Sequence, residues 1–326
     1  MYPVLLSGAF LLVAGGGCLL YYWLAGLLLD RLFCPARASL LRPWVFLFPA
    51  LFMLGLYLVY PLVETLRLSL SERLPGMQFR FVSWENYRRM GQDPKFWEGF
   101  RNNLVWLAVV PAVSTGLGLI CAGLTDRLRW GALARAILFM PMAISLVGAS
   151  VIWKLVYDAR PAGQEPIGVL NALYLALGGG EPVHWLTLAG WNTLALMVVL
   201  IWIQTGFATV ILSAALRGVP RDTVEAAVID GASPVQIFFS IQVPQIRATL
   251  VVVWTTITLT VLKVFDIVYT MTNGQWGTQV LANYMFNQLF VADDWGVASA
   301  SAVVILVMVL PILVWNLRHL RGEGGG

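Results

Sequence analysis

Only a few side chains in this 326-residue chain have the types and spacing that chemistry needs, and most are excluded on closer reading. Its lysines are Lys95, Lys154 and Lys263, and none follows a glycine, so there is no glycine-rich loop to cradle a nucleotide phosphate. His184 and His319 have no His or Cys partner at metal-ligand spacing. Cys18, Cys34 and Cys121 are scattered among apolar or membrane-edge residues, which implies neither a zinc centre nor a disulfide framework. No G-x-S-x-G nucleophile elbow occurs. Asp293 and Asp294 are adjacent carboxylates near a helix start, where a dipole-matched cap is the simpler reading than an acid–base pair. There remain Lys263 and Asp266, three residues apart in an apolar run. A charge in hydrocarbon costs about 2.5–3.5 kcal/mol, so this pair should face protein or water, as a structural ion pair or as a proton relay.

The elements that must position these groups are membrane spans. Hydrophobic residues make up 59% of the chain and charged ones 12%, in apolar blocks too long for soluble core helices. The expected fold class is an all-α polytopic membrane protein of about seven transmembrane helices: Pro3–Leu29, Trp44–Leu70, Asn103–Thr125, Ala134–Tyr157, Leu188–Leu216, Ala248–Met271 and Trp295–Leu317. The first lacks a basic leader and is too long for the core of a signal peptide, so it reads as a retained helix. Pro141 predicts a kink or local unwinding in the fourth. Residues 158–187 hold three prolines and Gly178-Gly179-Gly180, and read as an external loop with a short surface helix. Gln279–Phe290 reads as an amphipathic interfacial helix. The net charge of +4 suits loops facing an anionic leaflet, with membrane lipid rather than nucleic acid as the partner.

Thr249, Thr256, Thr260, Lys263 and Thr270 fall within about 80° on one face of the sixth span. That polar stripe should avoid lipid, either lining a path for a polar solute or gluing helices together. Gln204, Thr205 and Thr209, with Trp202 and Phe207, give the fifth span a similar mixed face.

The polar stretch Val219–Pro244 lies between those two spans and reads as two short helices around a corner. Asp222 and Glu225 have capping-box spacing, Gly231 can end the first helix in a left-handed conformation, and Ser233-Pro234 can start the second, which must stop at Pro244. Glu225-Ala226-Ala227, then Gly231, then Ile241-x-Val243-Pro244 resembles the signature loop of permeases from binding-protein-dependent ATP-binding cassette importers. The family usually has leucine at the position of Val243.

Phe265-Asp266-Ile267-Val268-Tyr269, Thr272-Asn273-Gly274 and Trp295 to Ala300 look like the C-terminal half of permeases for α-glucosides and related glucosyl compounds. The resemblance spans nearly everything after residue 43. It implies an extra helix and connector over 1–42, a permease domain over 43–326 and a cytoplasmic coupling loop over 218–247. In that loop Glu225, Ala226, Ala227, Asp230, Gly231, Ile241 and Pro244 would meet the ATPase.

The solute path of maltose-type importers would correspond here to Met142, Ser145, Gln204, Phe207, Thr256, Thr260, Val261, Lys263 and Val264. The implied partners are ATPase subunits that bind ATP and Mg, a second related permease, an extracytoplasmic binding protein and a sugar. No metal or cofactor is implied for this chain, and it would not itself be an enzyme.

Lys and Arg number eleven in the loop set that contains Glu225 and seven in the opposite set. This favours an external N-terminus with the coupling loop and C-terminus in the cytoplasm of a bacterial inner membrane. A loop similar to Phe81–Tyr87 lies outside in the sugar-importer permeases, which agrees. The alternatives are an ion-coupled secondary transporter with Lys263 and Asp266 as charge relay, and a membrane glycosyl-transfer enzyme, disfavoured because no loop carries an acidic cluster.

Overall fold

Apolar runs in lipid must satisfy their own backbone hydrogen bonds, and helices do so within one segment. The computed structural model describes residues 16–17, 20–76, 78–160 and 168–323, and these are mostly helical. The residues divide into two units, 1–67 and 68–326.

In the first unit, a helical stretch over 20–32 precedes α1, Pro35–Leu54, with Phe33 and Cys34 between them. The Tyr21 hydroxyl donates to the Val45 carbonyl at 2.8 Å, and the Tyr22 and Phe46 rings stack at 5.3 Å. A π-helical turn, Gly55–Val59, leads from α1 to α2, Tyr60–Ser69, whose last two residues are counted with the second unit. The connector expected over 30–43 is therefore mostly helix, and residues 42 and 43 lie inside α1. Of the expected Pro3–Leu29 span, residues 3–15, 18 and 19 lie outside the described residues.

The second unit opens with an antiparallel hairpin, β1 (Ser71–Leu74) with β2 (Gln78–Phe81), in which Glu72 faces Arg80. This small sheet is an exception to the all-α expectation. α3, Glu85–Gln92, follows, and its Asn86 amide donates to the Ser69 and Ser71 carbonyls. α4 is Pro94–Thr125, with the Asp93 side chain accepting from the Lys95 amide at its start. α5, Gly131–Phe139, ends in a 3-10 turn, Met140–Ala143, and α6, Leu146–Val156, leaves at 102° to it. Pro141 lies in that turn, so the expected kink is a complete break. α7 is Val169–Ala176 in the loop where a short helix is expected, and α8 is Asn192–Arg217.

The corner follows as α9, Arg221–Ile229, and α10, Pro234–Gln245, with α11, Arg247–Leu262, bent 74° from α10. The expected sixth span is not one rod. α11 ends at Leu262 and α12, Asp266–Met271, restarts after a three-residue break. α13 (Leu281–Phe290) packs on α14 (Trp295–Glu323) and on α4, with Leu281, Asn283 and Tyr284 buried, rather than lying free in an interface.

Four described helices are long and apolar enough to cross a membrane, or six if each bent pair counts as one span. That compares with the seven expected, one of which falls largely outside the described residues. Trp106, Leu196, Leu200, Leu212, Val253, Ile257 and Ile267 form a core between α4, α8, α11 and α12. Small residues permit the closest approaches, as lipid-embedded packing requires. A Cβ on Gly118 of α4 would lie 2.3 Å from the Ala208 Cβ of α8.

Candidate coupling corner and membrane path

The corner forms because each of its punctuating residues has one local use. α9 ends with Gly231 at φ +82°, its amide donating to the Val228 carbonyl and the Ala232 amide to the Ala227 carbonyl. Those two bonds make a Schellman cap, which needs a residue that enters the left-handed region without strain. Ser233 then caps α10. Its hydroxyl accepts from the Gln236 amide at 3.3 Å, and the Gln236 side chain accepts from the Ser233 amide at 2.8 Å. The first helix differs from expectation, because Pro220 occupies its N-cap position and no side chain caps it. Asp222 sits inside the first turn, where its charge still suits the dipole.

Pro244 does not stop α10 at once. It lacks an N–H and crowds the carbonyl four residues back, and the ladder before it widens into a π-helical stretch, Ile237–Gln242. The helix breaks two residues later, at Ile246. Pro61 follows the π turn Gly55–Val59 in the same way.

Glu225, Ala226, Asp230, Gly231 and Pro244 are exposed, Ile241 is half-buried and Ala227 is buried against the chain's own helices. Around them stand apolar side chains open to the outside: Val228, Ile229 at 85% exposure, Val235 and Phe239. Phe238 points the other way. A Cβ on Gly123 of α4 would lie 2.7 Å from its ring, so the ring rests directly on that helix. The corner thus has one face fastened to a long helix and one apolar face uncovered.

Beside it lies a charged cluster that sequence reading misses. Asp126 accepts from Arg135 at 2.8 Å and from the Ser213 hydroxyl at 3.1 Å, with Arg217 at 4.0 Å, joining the C-terminal ends of α4 and α8 to the middle of α5. The only prior signal was a helix-end Asp near two arginines, which says nothing of three helices meeting. Asp126→Ala leaves the largely buried Arg135 without its carboxylate, and should cost about 2 kcal/mol. Thermal unfolding of the purified permease would show this, and adding Arg135→Ala should recover part of the loss.

The residues expected along the solute path are dispersed. Met142 and Ser145 flank the break between α5 and α6; both are exposed, and the Ser145 hydroxyl accepts from the Gly148 amide. Gln204 is buried on α8 and Phe207 is half-buried. Thr256 is exposed and Thr260 half-buried, but their hydroxyls already donate to the Val252 and Thr256 carbonyls at 2.8 and 3.0 Å. Val261 and Val264 belong to the apolar core. Lys263, at the end of α11, opens onto an apolar depression with Phe265, Met285, Phe286 and Ile305. No Lys263–Asp266 ion pair is among those the described residues form, because the helix that would align them is broken between them. This removes the geometric ground for a charge relay. No metal-competent group of His, Cys, Asp or Glu occurs among the described residues.

This helical arrangement around a bent, glycine-capped corner has counterparts. Residues 114–319 match the family described as "Binding-protein-dependent transport system inner membrane component", and the chain belongs to that family of ATP-binding cassette importer permeases. Similar curated proteins include the "Alpha-glucoside transport system permease protein AglF" of Rhizobium meliloti (strain 1021), 56% identical over 323 residues and covering 95% of each chain. The "Osmoprotective compounds uptake permease protein GgtC" of Synechocystis sp. is 48% identical over 84% of this chain and 97% of that one. A bacterial alginate ABC transporter solved with a pentasaccharide-bound periplasmic protein shares the fold, at a TM-score of 0.73 and 18% identity, covering 86% of this chain and 93% of its own. Family membership decides against the ion-coupled alternative.

Proposed function

We propose that this chain forms part of the path for an α-glucoside or related glucosyl solute, and takes its driving force from separate ATPase subunits docked on the α9–α10 corner. The observation that carries the solute class is the 56% identity, over 95% of both chains, to an alpha-glucoside transport permease. Support for the docking comes from the exposed Glu225, Ala226, Asp230 and Gly231 ringed by uncovered Val228, Ile229, Val235 and Phe239, a surface that another protein would bury. ATP and Mg belong to those subunits, since no lysine here follows a glycine. A second related permease and an extracytoplasmic binding protein complete the importer. In this reading the N-terminus is outside, and the corner and C-terminus are cytoplasmic. The path itself is assigned to Met142, Ser145, Gln204, Phe207, Thr256, Thr260, Val261, Lys263 and Val264, of which Met142, Ser145, Thr256 and Lys263 are already exposed.

The test is reconstitution with an ATPase, a second permease and a binding protein from the same organism, followed by uptake of labelled trehalose and sucrose. ATP-driven uptake is expected, and Glu225→Ala should lower it about tenfold, the equivalent of 1.4 kcal/mol in coupling, at unchanged permease level. Uptake that runs on a proton gradient with no ATPase attached would overturn the proposal.

A further inference from the structure

At the end of α4 and α8 opposite the corner lies a groove of about 440 Å³ that the function proposed above leaves unassigned. α8 has 26 residues, or about 39 Å at 1.5 Å per residue, so groove and corner are a membrane thickness apart. Arg101, Val105, Gly190, Thr193, Trp276 and Gly277 are among its walls. Its volume is within the range of small-molecule sites, about 300–1,000 Å³.

What makes the groove a built feature is the loop over 272–280. Asn273, Gly274, Trp276 and Gly277 all have positive φ, and Trp276, at +57°, has a bulky side chain that disfavours it. Buried amides hold the strained backbone in place. Asn192 donates to the Trp276 carbonyl at 2.6 Å, and Asn102 donates to the Gly277 and Gln279 carbonyls, both at 2.8 Å. Glu98 accepts from the Gln279 amide at 3.1 Å. All this anchoring fixes the Trp276 indole at the rim of the groove, 51% exposed. On α4, Arg101 is exposed and forms no hydrogen bond or ion pair with the other described residues.

A flat apolar ring, an unengaged planar donor fork and a hydroxyl around one groove match the chemistry of a pyranose, which has a C–H face and a rim of hydroxyls. We propose that this groove is an outer carbohydrate subsite, in which Trp276 takes the face of a glucosyl ring while Arg101 and Thr193 take its hydroxyls. There the solute is held between its binding protein and the membrane path. The proposal rests on the reading of the chain as a sugar permease.

The assembled transporter in lipid nanodiscs, without binding protein, gives the direct test, with trehalose as the probe and saturation-transfer NMR as the readout. Trp276→Ala and Arg101→Ala should each weaken the sugar signal about fivefold, the scale of losing a ring contact. Trp276→Tyr, which keeps an aromatic plane, should retain most of it. Arg101→Ala removes a side chain that has no hydrogen-bond or ion-pair partner among the described residues, so it tests the site without threatening the fold. In the full system, uptake should show a raised KM with little change in kcat, and sugar-free binding protein should dock as it does on the wild type. Unchanged sugar signals in both variants would overturn the proposal. So would an equal loss of binding-protein docking, which would assign Trp276 to a protein contact. A wild-type transporter with no ATP-driven sugar uptake would remove the underlying reading as well, whereas normal uptake with unaltered variants removes this inference alone.

Discussion

Gly231→Val should leave the permease in the membrane at near-normal level and lower its ATP-driven uptake at least about tenfold, since a left-handed L-residue costs about 1–2 kcal/mol and a β-branched one more. The argument rests on conformation and not on space. A Cβ at Gly231 would meet nothing within 4 Å, yet φ is +82° and two hydrogen bonds of the cap depend on it. Valine should move this residue out of the left-handed region, open the Schellman cap and re-aim α10 relative to α9. The core between α4, α8 and α11 does not touch the position, so ATP hydrolysis by the partner should continue without productive transport. Gly231→Asn is the matched control, because asparagine tolerates this region, and it should keep most of the activity. Wild-type uptake by the valine variant would show that the corner's angle carries no force.

Gly206→Ala should have the opposite signature, a loss of folded protein. Its Cβ would lie 2.1 Å from the Leu138 carbonyl oxygen and 3.1 Å from the Phe139 Cα. Both neighbours are backbone at the end of α5, so no side-chain rotation can make room. α8 and α5 would have to separate beside the 102° break, at an overpacking cost of about 3 kcal/mol. Lower yield and a lower unfolding temperature in detergent are the expected readouts. Gly116→Ala on α4 is the control, since a Cβ there meets nothing within 4 Å and should change neither. Equal behaviour of the two variants would refute the close-packing account.

What was legible in the sequence was whatever local chemistry decides. Gly231, Ser233 and Pro234 have one stable use each between two apolar spans, and the structure uses them that way. Pro141 likewise marked the break between α5 and α6. The break after Leu262 was not legible, because Leu262-Lys263-Val264-Phe265 contains neither glycine nor proline and continues the helical pattern. There, packing of Val264 and Ile267 into the core competes with helix continuity and prevails. The asparagines were missed for a different reason. Asn102, Asn103 and Asn192 sit at span ends, where polar residues look unremarkable, yet each hydrogen-bonds the backbone of a distant loop or its neighbour α13. Their signal is present in principle, since an amide at the edge of hydrocarbon needs partners, but the partners lie about 80 to 180 residues away in sequence. The expected path residues rest on family resemblance rather than on polarity, since Met142, Phe207, Val261 and Val264 are apolar, and the burial of each depends on tertiary packing.

The threonines of α11 have a consequence for whatever lies along them. Because Thr256 and Thr260 spend their hydroxyl hydrogens on carbonyls one turn back, each turns only oxygen lone pairs outward. Any visitor to that face must bring the hydrogens itself. A polyol can do so through its own hydroxyl groups, so towards such a solute these two threonines act as acceptors alone.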